Sequence, residues 1–194
     1  AVAVRHGKPA VLDPVGVGVS RLRRRTIDAR LAFDCLKVVR GNASEAAVLL
    51  DGQPRMRGVD AERGIVALRA ASEQLAQQLG RTVAITGATD YLSDGERGIA
   101  IANGHVWLTQ ITGAGCMTTA LLGACLAVEK DSLLAAAAAL TAMGIAAELA
   151  AERASGPGTF HAALFDAIYS LTPDDFQLRG RVQTWGNWTC GSIS

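Results

Sequence analysis

Thr112-Gly113-Ala114-Gly115-Cys116 opens a long apolar run in this chain of 194 residues, and the rest of the sequence reads outward from it. Two glycines at a predicted helix start leave main-chain N–H groups bare, and the helix dipole adds positive potential behind them. Such a start receives phosphate or another anion. Cys116 stands at the same point, where that potential favours a thiolate. The stretch is suited to hold negative charge beside an ionisable side chain.

Downstream of Gly115 the spacing predicts three helices: about Gly115–Val128, Ser132–Ala154 and Gly158–Ser170, the last two separated by Gly156-Pro157. Upstream, strands and helices alternate. Pro9–Val15 (PAVLDPV) reads as a short buried strand, followed by a flexible loop at Gly16 and Gly18. A helix is expected over about Thr26–Asp34, a strand over Lys37–Val39, and a turn at Arg40-Gly41-Asn42. Asn42 or Ser44 can cap the next helix, which runs to about Leu50. Asp51–Asp60 is a polar connection, Ala61–Leu79 a helix and Thr82–Thr86 (TVAIT) a β-branched strand. Asp90–Glu96 suggests a hairpin, with strands near Tyr91–Ser93, Arg97–Asn103 and His105–Leu108. Residues 173–194 show no clear periodicity and read as a tail of uncertain order, leaving one domain over residues 1–172.

This alternation implies an α/β fold with a largely parallel sheet covered by helices. Parallel strands point their carboxyl ends to one sheet edge, where open α/β folds place ligands. Asp13, Arg40 and Asn42, and Thr86 follow successive strands. They are therefore expected to converge on the glycine-rich helix start.

Composition narrows the function. Apolar residues make up 49% of the chain and the formal net charge is +1, which argues against a general electrostatic nucleic-acid or membrane partner. The basic cluster Arg21, Arg23, Arg24 and Arg25 reads as a solvated turn before a helix or as a phosphate contact. Leu133–Ala151 is mostly apolar, but alanine is a weak membrane residue and Glu148 and Glu152 interrupt its end, so a packed core helix is expected. Cys35, Cys116, Cys125 and Cys190 form no CxxC pair or Cys/His cluster, which speaks against zinc. Their pattern suggests a reducing, cytoplasmic setting. The start AVAVRHGKPAVLD lacks the features of a signal peptide.

Phosphoryl transfer from ATP needs an anion cradle, charge neutralisation, and a group placed beside the acceptor hydroxyl. PAVLDPVGVGVS, VVRGNASE, VAITGATDY, NGHVWLTQITGAGCMTTALLGA and GIAAELAAERASGPGTFHAALFDAIY supply these parts in order. Over residues 8–172 the chain resembles the hydroxyethylthiazole kinases of the ribokinase-like superfamily, with RGNASE and TGAGC together as the specific signature. The resemblance implies a three-layer α/β/α fold, here lacking the family's N-terminal part, a homotrimer, and ATP-dependent phosphorylation of 4-methyl-5-(2-hydroxyethyl)thiazole in thiamine salvage.

It also implies roles for particular residues. Arg40, Thr86 and Gly115 match ATP-binding positions, and Gly113 borders the thiazole. Glu45 and Asp13 match acids linked to Mg²⁺. Cys116 matches the base or hydroxyl-positioning residue. The residues alone leave other readings open: Arg40 in an internal carboxylate pair, Glu45 as a helix-capping acid, Asp13 and Thr86 as turn formers, the glycines as packing positions, and Cys116 as a small hydrophobe. The family often carries Glu after the glycine of ITG, where this chain has Ala88. A hydroxymethylpyrimidine-type kinase and a non-catalytic nucleotide-binding or assembly fragment are the competing functions.

Overall fold

The computed structural model describes residues 2–51 and 61–188. In chain order the elements are α1 (Val2–Arg5), β1 (Ala10–Leu12), α2 (Arg21–Leu31), β2 (Leu36–Asn42), α3 (Ala43–Asp51), α4 (Ala61–Leu79), β3 (Thr82–Thr86), β4 (Asp90–Ser93), β5 (Arg97–Ile101), a 3₁₀ turn (Val106–Thr109), α5 (Ala114–Val128), α6 (Ser132–Arg153), α7 (Pro157–Ser170), α8 (Pro173–Arg179) and β6 (Val182–Gly186). The six strands form one sheet in the order β1-β2-β3-β4-β5-β6. β1, β2 and β3 run parallel, whereas β4, β5 and β6 pair antiparallel. The sheet is thus mixed rather than largely parallel as the alternation suggested, because β4–β6 return by tight antiparallel pairing, and its parallel half carries the strand ends that matter for the site.

Alternation along the strands separates two cores. Val38, Ala84, Leu92, Ile99 and Ile101 point to the face covered by α5 and α6. Leu12, Val39, Val83 and Ile85 point to the other face, against Ile27 of α2, α3 and Leu75 and Ala76 of α4. Consecutive residues such as Val38 and Val39 face opposite sides, as a period of two demands. The result is the three-layer ribokinase-like α/β/α arrangement. α6 is long and apolar enough to cross a membrane by length and composition, but it is mostly buried inside the fold. Its alanines let α7 pack closely through Phe160, Leu164 and Ala167.

Most predicted elements occur where expected; the strand expected over Pro9–Val15 is confined to Ala10–Leu12, and four further segments differ. Arg40-Gly41-Asn42 is not a turn: it extends β2, because pairing with β3 continues to Asn42 opposite Thr86. α2 begins at Arg21, since the Ser20 side chain caps it by accepting from Arg23 N at 3.2 Å. The arginine cluster therefore lies in the first turns of a helix, where Arg24 pairs with Asp28 and donates to the Val48 carbonyl. His105–Leu108 is not a strand; the His105 ring accepts from Trp107 N and starts the 3₁₀ turn. The segment after Thr172 forms α8 and β6. Its signal is weak because β6 keeps only Trp185 half-buried, the remaining residues being exposed. The connection predicted over Asp51–Asp60 lies almost wholly outside the described residues, as does Cys190.

Candidate active site

The register of the parallel strands brings the site together. Leu12 lies opposite Val39, so the next residues, Asp13 and Arg40, emerge side by side at one edge. Asn42 lies opposite Thr86, which places the Thr86 hydroxyl beside Arg40. Arg40 Nη1 donates to Asp13 Oδ2 at 3.2 Å, and Nη2 donates to Thr86 Oγ1 at 3.2 Å. Thr86 in turn donates to the Gly41 carbonyl. Arg40 Nε is buried without a hydrogen-bond partner among the described residues.

The start of α5 stands against this arginine. A Cβ at Gly115 would lie 2.9 Å from Arg40 Nη1, so the absence of a side chain allows the close approach. Gly113 caps the helix at φ 93°, a left-handed conformation that favours glycine, and no side chain caps the end. The first intrahelical bond is Met117 N to the Gly113 carbonyl at 2.9 Å. The N–H groups of Ala114, Gly115 and Cys116 precede it and are left to meet an anion. Thr119, one turn along α5, donates to Asp13 Oδ2 at 2.9 Å and locks the helix to the strand edge.

Beside these groups lies a cleft of about 570 Å³. Arg40, Thr86 and Gly115 line it, as do Asp90, Asn103–Val106, Leu108, Thr109 and part of α6. Gly113, Asp13, Glu45 and Cys116 do not line it. Cys116 is exposed on the same helix start. Glu45 braces the edge: its Oε2 accepts from Asn42 N at 2.9 Å while Asn42 Oδ1 accepts from Glu45 N at 3.0 Å, a reciprocal cap on α3. Its Oε1 accepts from Gly16 N at 3.0 Å and ties down the loop after β1. The internal pair for Arg40 and the cap for Glu45 are thus both present, alongside the convergence on α5.

Asp90 is the cleft residue that sequence reading missed, having been counted only as part of a hairpin. Its Oδ1 accepts from Gly87 N at 2.9 Å. Burial pushes its carboxyl up to about 6, against the opposing pull of that N–H and of the Arg40 charge. The signal in the sequence was an acid three residues after the glycine of ITG, where a side chain can close the turn.

Among the described residues no group of three or more His, Cys, Asp and Glu gathers as a metal cage. The donors at the edge are carboxylate and hydroxyl oxygens, the type a hard cation takes. Mg²⁺ commonly uses one or two carboxylates with retained waters and substrate phosphates. Asp13 and Glu45, already engaged by N–H and O–H donors, fit such water-mediated contact better than a stripped ion.

An α/β sheet edge with bare helix-start amides, an arginine and an adjoining cleft is the kind of arrangement that can receive an anion, on a fold of the ribokinase-like class. The profile of the hydroxyethylthiazole kinase family matches residues 1–174. A hydroxyethylthiazole kinase of Roseiflexus sp. (strain RS-1) is 47% identical over 179 residues, covering 92% of this chain and 66% of the relative. Another, of Roseiflexus castenholzii, is 48% identical over 174 residues, covering 90% and 64%. The solved hydroxyethylthiazole kinase protein of Pyrococcus horikoshii OT3 superposes with a TM-score of 0.85 at 38% identity, covering 95% of this chain and 68% of that one. The chain belongs to the hydroxyethylthiazole kinase family. It spans slightly less than two thirds of the length of the two Roseiflexus relatives.

Proposed function

We propose that this chain carries the ATP site and the transfer point of a kinase that phosphorylates the hydroxyl of 4-methyl-5-(2-hydroxyethyl)thiazole in thiamine salvage. The observation that carries the reading is the packing of the Arg40 guanidinium against Gly115, beside three helix-start amides and next to a cleft. ATP has a charged tail and a flat aromatic base whose faces favour apolar contact. The cleft offers Arg40, Thr86 and the Gly115 amide to the tail, and Val106, Leu108, Leu140 and Met143 to the base.

In this reading the acceptor approaches past Gly113 and Cys116, outside the nucleotide cleft. Its hydroxyl oxygen bonds to the γ-phosphorus as the bond to the bridging β–γ oxygen breaks. The hydroxyl proton leaves and ADP departs. Arg40 and the amides stabilise charge on the transferring group without reorganising. Cys116 orients the hydroxyl or takes its proton; the loose transition state relaxes the need for full deprotonation before attack. Mg²⁺, when bound, neutralises the triphosphate, and Asp13 and Glu45 would hold its waters. A homotrimeric assembly and a cytoplasmic setting belong to the same reading.

The test is ATP consumption on adding hydroxyethylthiazole with Mg²⁺, run beside hydroxymethylpyrimidine. Preferred turnover of the thiazole supports the proposal. Preference for the pyrimidine reassigns the acceptor, and nucleotide binding without turnover of either alcohol favours a non-catalytic fragment.

A further inference from the structure

Glu148 interrupts the apolar run of α6, and the proposed chemistry makes no use of it. Its side chain is 17% exposed. Oε1 accepts from Gly104 N at 2.8 Å, from Asn103 Nδ2 at 3.2 Å and from Arg181 Nη2 at 2.6 Å. One turn earlier, Gly144 lets the Asn103 backbone lie directly on the helix; a Cβ at Gly144 would stand 2.6–2.7 Å from Asn103 atoms. Residues four apart share a helix face. α6 therefore presents a gap for the chain and, one turn on, an acceptor for its N–H.

Asn103, 6% exposed, completes the connection. Its Oδ1 accepts from Arg181 N at 2.7 Å and its Nδ2 donates to the Arg179 carbonyl at 2.8 Å. Arg181 Nη2 also donates to the Ala102 carbonyl at 2.7 Å. The chain held by these bonds runs straight on into His105, Val106, Leu108 and Thr109, which line the cleft. Removing the Glu148 carboxylate would leave the Gly104 N–H without its acceptor and take one partner each from the Asn103 amide and the Arg181 guanidinium, which keep the Arg179 and Ala102 carbonyls. A half-buried donor left without an acceptor is costly, so the segment would shift rather than stay.

Resting on the nucleotide reading above, we infer that Glu148 is a positioning residue for the nucleoside side of the cleft, acting through Asn103 and Gly104. The C-terminal segment Arg179–Arg181 is the other half of this clamp. The carboxylate does not reach the phosphate end, which Arg40 and Gly115 form independently.

The experiment compares binding of ATP and of inorganic triphosphate to the whole chain by calorimetry, in wild type, Glu148→Ala, Glu148→Gln and Glu152→Ala. Glu152 makes a neighbouring but exposed bridge to Arg179, and its variant is expected to bind like wild type. Glu148→Ala is expected to weaken ATP roughly tenfold while triphosphate stays within about twofold, as for independent sites. Glu148→Gln keeps an acceptor for Gly104 N and should fall between wild type and Glu148→Ala. Should the alanine variant fail to fold, the glutamine variant carries the same test through its ATP-to-triphosphate ratio. Unchanged ATP affinity, or equal weakening of both ligands, overturns the role of Glu148 alone. A wild-type chain that binds neither ligand overturns the nucleotide reading and this inference with it; one that binds triphosphate but not ATP removes the nucleoside side specifically.

Discussion

Asp90→Asn should stabilise this protein, and the gain should depend on pH. In the folded chain burial lifts the Asp90 carboxyl from 3.8 to about 6. Between those values the folded state keeps a proton that the unfolded state releases, so stability falls as pH rises through the window. Each pH unit there costs about 1.4 kcal/mol. The accumulated cost is about 2 kcal/mol at pH 5 and about 3 kcal/mol at pH 7, and close to zero below pH 4. Asparagine retains an acceptor for Gly87 N but carries no charge to bury. Urea unfolding of wild type and variant at pH 4, 5 and 7 reads the difference directly. At pH 7 the melting temperature should rise by roughly 6–12 °C for a chain of this size. A gain that is absent at pH 7, or equal at pH 4 and pH 7, would refute the claim that Asp90 is buried as an unfavourable charge.

Other substitutions test the phosphate end. Arg40→Gln should weaken both ATP and triphosphate by roughly tenfold or more, since a charge-assisted contact is lost, and calorimetry with both ligands checks it. Gly115→Ala should leave thermal stability unchanged or raise it, alanine being favoured in a helix by about 1 kcal/mol; yet its Cβ meets Arg40 Nη1, so triphosphate affinity should fall. Cys116→Ser should retain turnover of the thiazole alcohol, whereas Cys116→Val should lose most of it; steady-state kinetics separates the two. Arg97→Met removes the bridges to Asp94 and to Asp131, the cap of α6, and should lower unfolding free energy by about 1–3 kcal/mol with ATP affinity unchanged.

The strong periodicities carried most of the fold in the sequence. α4 and β3 have the limits that their patterns suggest, and α5, α6 and α7 differ by one residue at an end. What escaped was structure made by partners rather than by pattern. β6 has an exposed face and exists through its backbone bonds to β5, which no local signal announces. The end of β2 looked like a turn because Arg-Gly-Asn favours turns in isolation, yet the neighbouring strand holds it extended. At the site, the convergence of Asp13, Arg40 and Thr86 on α5 was legible because parallel strands end on one side. Asp90 and Glu148 were not: one gains importance from burial and the other from segments dozens of residues before and after it in the chain, neither of which spacing encodes.

The account rests on the α5 start receiving a terminal phosphate beside Arg40. Titrating the isotope-labelled protein with a non-hydrolysable ATP analogue, and following the amide resonances of Gly113 through Cys116 by NMR, tests that contact most directly. Saturable shifts of those four amides, needing roughly tenfold more analogue or beyond in Arg40→Gln, are the predicted result. Binding that leaves all four unmoved would contradict it.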